Sequence, residues 1–132
     1  MADKWIQLQS ADGTDNLFPA SSMDLLWENS SPTTNYGSAT AQFVSTGYKK
    51  TLVIYESATG SPYNAYRVPL IIIQQDVAYS CTSQIGSRLR LRYATWTTSG
   101  ITFTECEKWE TYASGSSKDN SCLIPYQIYG IK

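Results

Sequence analysis

The sequence predicts an all-β domain, an antiparallel β-sandwich or jelly roll of about eight strands. Ser and Thr occupy 31 of the 132 positions, and ten Tyr and four Trp accompany only 16% charged residues. This mixture is typical of half-buried strands with Ser/Thr-rich outer faces. Short apolar or alternating runs recur between turn residues, and none has a convincing 3.6-residue period. We therefore expect almost no helix.

The strands are expected at short, fairly regular intervals after residue 22. The predicted strands are 25–27, 40–44, 51–56, 66–74, 77–83, the two strands of a hairpin within 88–109, and 123–131. Pro69 lies inside the fourth strand and favours an edge or a bulge there, because proline has no amide donor. Residues 114–121 (SGSSKDNS) are expected to form a loop. Residues 1–22 carry many turn formers and predict an N-terminal arm or linker before a domain at 23–132.

The central hairpin has two faces that alternate along each strand, with a turn at residues 97–100. Pairing Trp96 with Ile101 would place Ala94 opposite Phe103, Arg92 opposite Glu105, and Arg90 opposite Glu107. A slip by one residue would place Arg92 opposite Cys106 and disrupt both faces. We therefore expect Leu89, Leu91, Tyr93 and Thr95 to face the core, and the Arg row with Trp96 to face outward.

Composition excludes several classes of chemistry. The chain has no His, so Ser-His-Asp and Cys-His catalysis are excluded and a zinc site is not expected. Three widely spaced Cys predict buried thiols, not a disulfide framework. No glycine loop for phosphate is present, and we expect no metal and no cofactor. The net charge of −1 gives no reason to expect nucleic acid.

Targeting signals are also missing from the printed sequence. No apolar run approaches the roughly 20 residues that span a bilayer, so we expect no membrane insertion. The first residues, MADKWIQLQ, lack the basic start and apolar core of a signal peptide. Synthesis in the bacterial cytoplasm is the expectation.

Two surfaces are candidates for binding a ligand. Trp96 at the hairpin tip could present a flat apolar surface, and Tyr63, Tyr66 and Arg67 could do so after the Gly60-Ser61-Pro62 turn. Aromatic faces beside Arg suit saccharides, which stack on rings and accept hydrogen bonds through hydroxyls. The alternative for Trp96 is packing in the core or against another subunit. Trp27 and Trp109 are expected to pack in one of these two ways, and Arg88, Arg90 and Arg92 could face a second subunit.

Glu105 and Glu107 are the only carboxylate pair that suggests catalysis. Strand geometry separates them by ~7 Å, which suits an inverting glycosidase. An Arg predicted opposite each would hold both ionised, however, and an ionised carboxylate cannot act as a general acid. We therefore expect no catalytic residue and no enzyme.

Two segments, and a third shorter one, resemble a known protein class. The segment from Leu25 to Thr33, LLWENSSPT, resembles an "LLW-N-SP-" segment of a domain found in tail and baseplate proteins of phages and prophages of Gram-positive bacteria. The segment from Ile124 to Lys132, IPYQIYGIK, resembles the final strand of such proteins, and Leu17-Phe18-Pro19 resembles their "LYP"-type segment with Phe in place of Tyr. The resemblance covers roughly residues 23–132.

The resemblance implies a head domain of the virion tail, often a homotrimer, that contacts a host cell-surface saccharide or protein beside other tail proteins. Such domains usually end a longer chain, whereas about 22 residues precede this one, which suggests a small separate component or a fragment. The class has no fixed ligand motif, so no site residue follows from it. The expected function is therefore non-enzymatic host-surface recognition or baseplate structure, and the alternative is a free-standing carbohydrate-binding module.

Overall fold

A computed structural model describes residues 23–32, 34–56, 67–85, 88–110 and 115–132. These residues form ten strands and no helix: β1 Met23–Glu28, β2 Ala39–Gln42, β3 Lys50–Glu56, β4 Val68–Ile72, β5 Ala78–Ile85, β6 Arg88–Thr97, β7 Gly100–Phe103, β8 Glu107–Trp109, β9 Ser117–Lys118 and β10 Ile124–Ile131. The all-β class is confirmed. Two more strands are present than expected, because the return strand of the hairpin is divided into β7 and β8, and β9 forms within the predicted 114–121 loop.

Two antiparallel sheets make a β-sandwich. The smaller sheet has the order β1-β10-β3-β4, and the larger has the order β2-β7-β6-β8-β9. β5 pairs with β6 from Arg88 to Thr95, whereas β7 and β8 pair with successive parts of β6. β4 lies at the edge of the smaller sheet, as Pro69 predicts. In the part of the chain that the structure describes, no helix is long and apolar enough to cross a bilayer.

The core lies between the sheets. Val53 and Tyr55 of the smaller sheet belong to the same buried cluster as Ile101 and Phe103 of the larger one. The Tyr55 and Phe103 rings meet edge to face with centroids 5.9 Å apart, an arrangement that aromatic pairs prefer. Trp27 packs against this cluster, as expected. The 1–22 arm lies outside the described residues.

The two faces of β6 are the reverse of the prediction. Near the turn the predicted register is confirmed, because Trp96 pairs with Ile101 and Ala94 with Phe103. All four of these side chains are buried, so the face that carries them is the inner one. Alternation then places the other β6 face, predicted for the core, on the outside. The apolar residues at the tip set this orientation, and Arg90 and Arg92 of the same face are buried with them, whereas Arg88 stays exposed.

The return strand shifts register by one residue between Thr104 and Glu107. Leu91 pairs with Glu107 and Arg90 with Lys108, so the predicted pairing of Arg90 with Glu107 is wrong. The ion pair expected between Arg92 and Glu105 is not formed: Arg92 donates to backbone carbonyls, and Glu105 contacts Lys118 at 2.5 Å between Oε2 and Nζ. The shift has the character of a β-bulge, with one extra residue on the return strand.

Candidate functional site

Trp96 does not offer a binding surface. Its side chain is 3% exposed and belongs to the buried cluster between the sheets. A saccharide needs an open ring face, so the prediction that Trp96 presents one is wrong. The indole Nε1 is buried and has no acceptor among the described residues.

Arg67 is the one member of the second predicted surface within the described residues; Tyr63 and Tyr66 lie outside them. The Arg67 side chain is largely exposed, and its Nε lies 3.4 Å from Oε2 of Glu56. Its guanidinium carbon lies 4.8 Å from the ring centroid of Tyr126, which suits a cation–π contact. Arg67 has N–H groups that could donate to a hydroxyl of a saccharide. Its guanidinium, however, lies over the ring of Tyr126. The structure therefore describes only the cation of this surface, and stacking on Tyr63 and Tyr66 stays a prediction.

The outer face of the larger sheet carries aromatic and hydroxyl groups together. We name it the hydroxyl face. Its rows follow from the strand pairing: Gln84–Leu89–Trp109, Thr82–Leu91–Glu107–Lys118, Ser80–Tyr93–Thr104, and Ala78–Thr95–Thr102–Thr40. Tyr93 is 42% exposed, and Trp109 is half-buried. Hydroxyl groups therefore surround an accessible aromatic ring.

Several hydroxyl groups of this face are held in place. The Oγ1 atoms of Thr40 and Thr102 lie 2.9 Å apart across two strands. The Oγ1 of Thr104 accepts a hydrogen bond from the Tyr93 amide at 3.1 Å and donates to the carbonyl of Glu105 at 3.1 Å. Side chains that are already oriented lose less entropy when a ligand binds. The sequence analysis missed this site because it placed Tyr93 in the core, although the run of Thr from 95 to 104 was a visible signal.

Arg92 fixes the backbone behind the hydroxyl face. Its side chain is fully buried, and the guanidinium donates to the carbonyls of Thr104 at 2.6 Å, Tyr36 at 2.8 Å, Gly37 at 3.2 Å and Cys122 at 3.3 Å. The guanidinium also lies 5.6 Å from the ring centroid of Tyr36. Burial lowers the pKa of Arg92, but an arginine keeps its charge in proteins. The dipoles of these four backbone carbonyls therefore stabilise the buried charge of Arg92, which a carboxylate would usually do.

Arg90 has a conventional partner on the same inner side. Its Nε donates to Oδ2 of Asp119 at 3.0 Å. Burial raises the pKa of Asp119, but the hydrogen bond from Ser121 and the charge of Arg90 outweigh it, so the pKa falls below its ordinary value. Asp119 also donates its amide to the Cys106 carbonyl at 2.8 Å, which joins the segment before β10 to the bulge.

The two carboxylates considered for glycoside hydrolysis have different surroundings from those predicted. The hydrogen bond from Lys118 is the largest cause that lowers the pKa of Glu105. A carboxyl group with a lowered pKa is a poor general acid at neutral pH. Glu107 is exposed, and its register partner on β9 is also Lys118. The cation opposite the pair is therefore a lysine of β9, not an arginine of β6.

The three cysteines are free and buried, which confirms the prediction of structural thiols. Burial raises the pKa of Cys81 to about 12 and that of Cys106 to about 12. Thiols in this state are poor nucleophiles, because the thiolate is the reactive form. Among the described residues, no three His, Cys, Asp or Glu side chains lie close enough together to hold a metal ion.

Comparisons of the chain with protein-family models, curated proteins and solved structures find no match. The geometry of the exposed faces therefore carries the functional argument.

Proposed function

We propose that this chain is a non-enzymatic domain of a phage or prophage tail or baseplate, and that it recognises a saccharide of the host surface. The observation that carries the proposal is the hydroxyl face, where Tyr93 stands open to solvent among fixed threonine hydroxyls. The resemblance of two segments to tail proteins of Gram-positive phages supplies the biological setting. The proposed location is the virion tail, after synthesis in the bacterial cytoplasm.

The chemistry of the hydroxyl face suits a sugar ring. A ring stacks its C–H face on an aromatic side chain, and its hydroxyls exchange hydrogen bonds with neighbouring groups. Tyr93 supplies the stacking surface, while Thr102 and Thr104 supply hydroxyls next to it. Glu107 and Lys118 add one acceptor and one donor of opposite charge at the side of the face. A neutral polysaccharide fits this arrangement better than a strongly charged one.

The remaining partners follow from the resemblance and belong to the same proposal. They are other tail proteins of the virion and further copies of this chain, with a homotrimer as the form that the resemblance implies. A host protein is the alternative receptor. Neither nucleic acid nor membrane insertion has a role in this proposal, since the net charge is −1 and no apolar run approaches the roughly 20 residues that span a bilayer.

A free-standing carbohydrate-binding module is the second candidate, because it would use the same hydroxyl face. The two candidates differ in attachment and not in ligand chemistry. Mass spectrometry of purified virions would separate them: a tail domain is a virion component, and a free module is not.

Binding of the purified chain to cell-wall polysaccharides and a glycan array tests the saccharide proposal. We expect Tyr93→Ala to weaken binding by about tenfold or more, because it removes the stacking ring. Thr102→Val keeps the shape of the side chain and removes a hydroxyl, so we expect a smaller loss. Arg67→Ala is the control at the other predicted surface, and we expect it to leave binding unchanged.

Two results would contradict this assignment. Loss of binding in Arg67→Ala with none in Tyr93→Ala would move the site to the Arg67 surface. Absence of binding to every polysaccharide and to intact host cells would reject host-surface recognition. Thermal melting of each variant shows whether the fold is kept.

A further inference from the structure

The hydroxyl face extends across four strands, well beyond the ring of Tyr93. One row crosses β5, β6, β7 and β2 and consists of Ala78, Thr95, Thr102 and Thr40. The neighbouring row consists of Ser80, Tyr93 and Thr104. Neighbouring strands lie ~4.8 Å apart, so the four-strand row is ~14 Å long. The face is therefore several times longer than a single sugar ring.

The groups of these two rows are accessible and uncharged. Thr95 is half-buried, and the exposed members are Ser80, Tyr93, Thr104, Thr102 and Thr40. Charged side chains follow in the next row, at Glu107 and Lys118. A long strip of neutral hydroxyls beside a phenol ring suits a ligand that is itself long, neutral and rich in hydroxyls.

The threonine hydroxyls differ in what they still offer a ligand. A threonine hydroxyl has one proton to donate and two lone pairs. Thr104 donates its proton to the carbonyl of Glu105 and accepts from the amide of Tyr93, so it keeps one lone pair. Thr40 and Thr102 share one hydrogen bond, so this pair keeps one of its two protons and three of its four lone pairs. The face therefore offers more acceptors than donors, and the hydroxyls of a polysaccharide supply the missing donors.

Tyr93 and Thr40 are too far apart for one sugar to touch both. Thr40 lies on β2, which is two strands away from β6 and therefore ~10 Å across the sheet. A monosaccharide stacked on Tyr93 can reach Thr102 and Thr104, because both lie on the adjacent side of the sheet next to β6. Contact with Thr40 requires a further sugar of the same chain.

We propose that the hydroxyl face binds a stretch of several sugars of a linear, neutral polysaccharide, laid across the strands from Tyr93 towards Thr40. One sugar stacks on Tyr93, and the sugars that follow form hydrogen bonds with Thr102 and Thr40. All of these groups lie on strands of one sheet, so they contact the chain along one side. The inference rests on the proposed function and deepens it, because it names an extended chain as the ligand.

Calorimetric titration of the full chain with saccharides of increasing length tests the proposal. The probe is neutral cell-wall polysaccharide of Gram-positive bacteria, partly hydrolysed and separated into monosaccharides, disaccharides, tetrasaccharides and longer chains. We expect affinity to rise about tenfold or more from the monosaccharide to the tetrasaccharide. Beyond that length it should change little, because the row crosses four strands and ends there.

Thr40→Val removes the hydroxyl that only a chain can reach. We expect it to weaken binding of the tetrasaccharide about two- to tenfold, the effect of losing one hydrogen bond, and to leave binding of the monosaccharide unchanged. Thr40→Ser keeps the hydroxyl and should bind like the wild type. Thr34→Val is the matched control, because Thr34 is exposed in the loop before β2 and lies outside both rows. Melting temperatures show whether each variant keeps its fold.

Two outcomes would overturn this proposal and leave the saccharide proposal standing. Equal affinity for every length would mean that a single sugar is recognised. A length dependence that Thr40→Val leaves unchanged would mean that the chain does not run towards β2. Absence of binding to the whole series and to the intact polysaccharide is a different result, because it would reject saccharide recognition itself and the extended chain with it.

Discussion

Replacing Arg92 by Met tests whether the buried guanidinium organises the larger sheet. Methionine keeps most of the apolar stem and removes all donors. The guanidinium binds four backbone carbonyls, from residues 36, 37, 104 and 122, which lie on three separate segments of the chain. We expect the variant to fold, with a lower free energy of unfolding.

The magnitude follows from the carbonyls that lose their donor. Gly37 and Thr104 are exposed residues, so water can replace the guanidinium there, whereas Tyr36 is half-buried and Cys122 is buried. Each buried carbonyl without a partner costs about 1–3 kcal/mol. Removal of a buried charge returns part of this cost, because its desolvation is avoided. We expect a net loss of about 3 kcal/mol, and a melting temperature lower by about 10 °C.

Urea unfolding at neutral pH measures this loss. Arg88→Met is the matched control, because Arg88 lies on the same strand, is exposed, and pairs with Glu110 at 3.0 Å between Nε and Oε2. An exposed ion pair contributes at most about 1 kcal/mol, so the control should lose little. Equal stability of Arg92→Met and wild type would refute the reasoning and would mean that the site repacks around an apolar side chain.

Two further predictions concern the pH dependence of stability at Asp119 and the backbone conformation of Gly100. Because the folded pKa of Asp119 lies below its ordinary value of 3.8, its contribution to stability is complete above that value and is lost as the pH falls through the folded pKa. Asp119→Asn should therefore be less stable than wild type in urea at pH 7, and the gap should narrow at pH 3. Gly100→Ala should lose about 2–3 kcal/mol in the same assay, since Gly100 has φ of 145° and an added Cβ would overlap the carbonyl of Ala41.

Gly47→Ala is the control for Gly100→Ala. Gly47 also has positive φ, at 91°, but no atom lies within 4 Å of an added Cβ. We expect only the backbone cost of about 1–2 kcal/mol. A loss in Gly100→Ala no larger than this would show that β2 moves aside. A gap between Asp119→Asn and wild type that stays constant with pH would contradict the acid prediction.

The sequence predicted the class, most strands and the register at the hairpin tip. The alternation of each strand and the turn at residues 97–100 predicted the pairing of Trp96 with Ile101, although the expected pairing of Arg90 with Glu107 is wrong. Pro69 lies at an edge because it has no amide N–H to donate. The orientation of the hairpin could not be predicted, because the usual assumption that arginine faces solvent fails at Arg92. The buried charge of Arg92 is stabilised by backbone carbonyls that are distant in the sequence, and no local sequence pattern reveals them.

The binding surface was predicted wrongly from the sequence for the same reason. Once the faces of β6 were reversed, Trp96 became a core residue and Tyr93 a surface one. The bulge near Cys106 was also invisible, because a one-residue shift leaves the alternation on either side intact.

The sandwich points its two outer faces in opposite directions, and this has a consequence for affinity. The homotrimer proposed above would carry three hydroxyl faces, one on each copy. A cell-wall polysaccharide repeats the same unit many times, so a second contact would form at high effective concentration once the first exists. Linked weak sites can gain 10²–10⁴ in avidity this way without any new contact. Single-site affinity measured on a monomeric variant would then understate attachment to a cell.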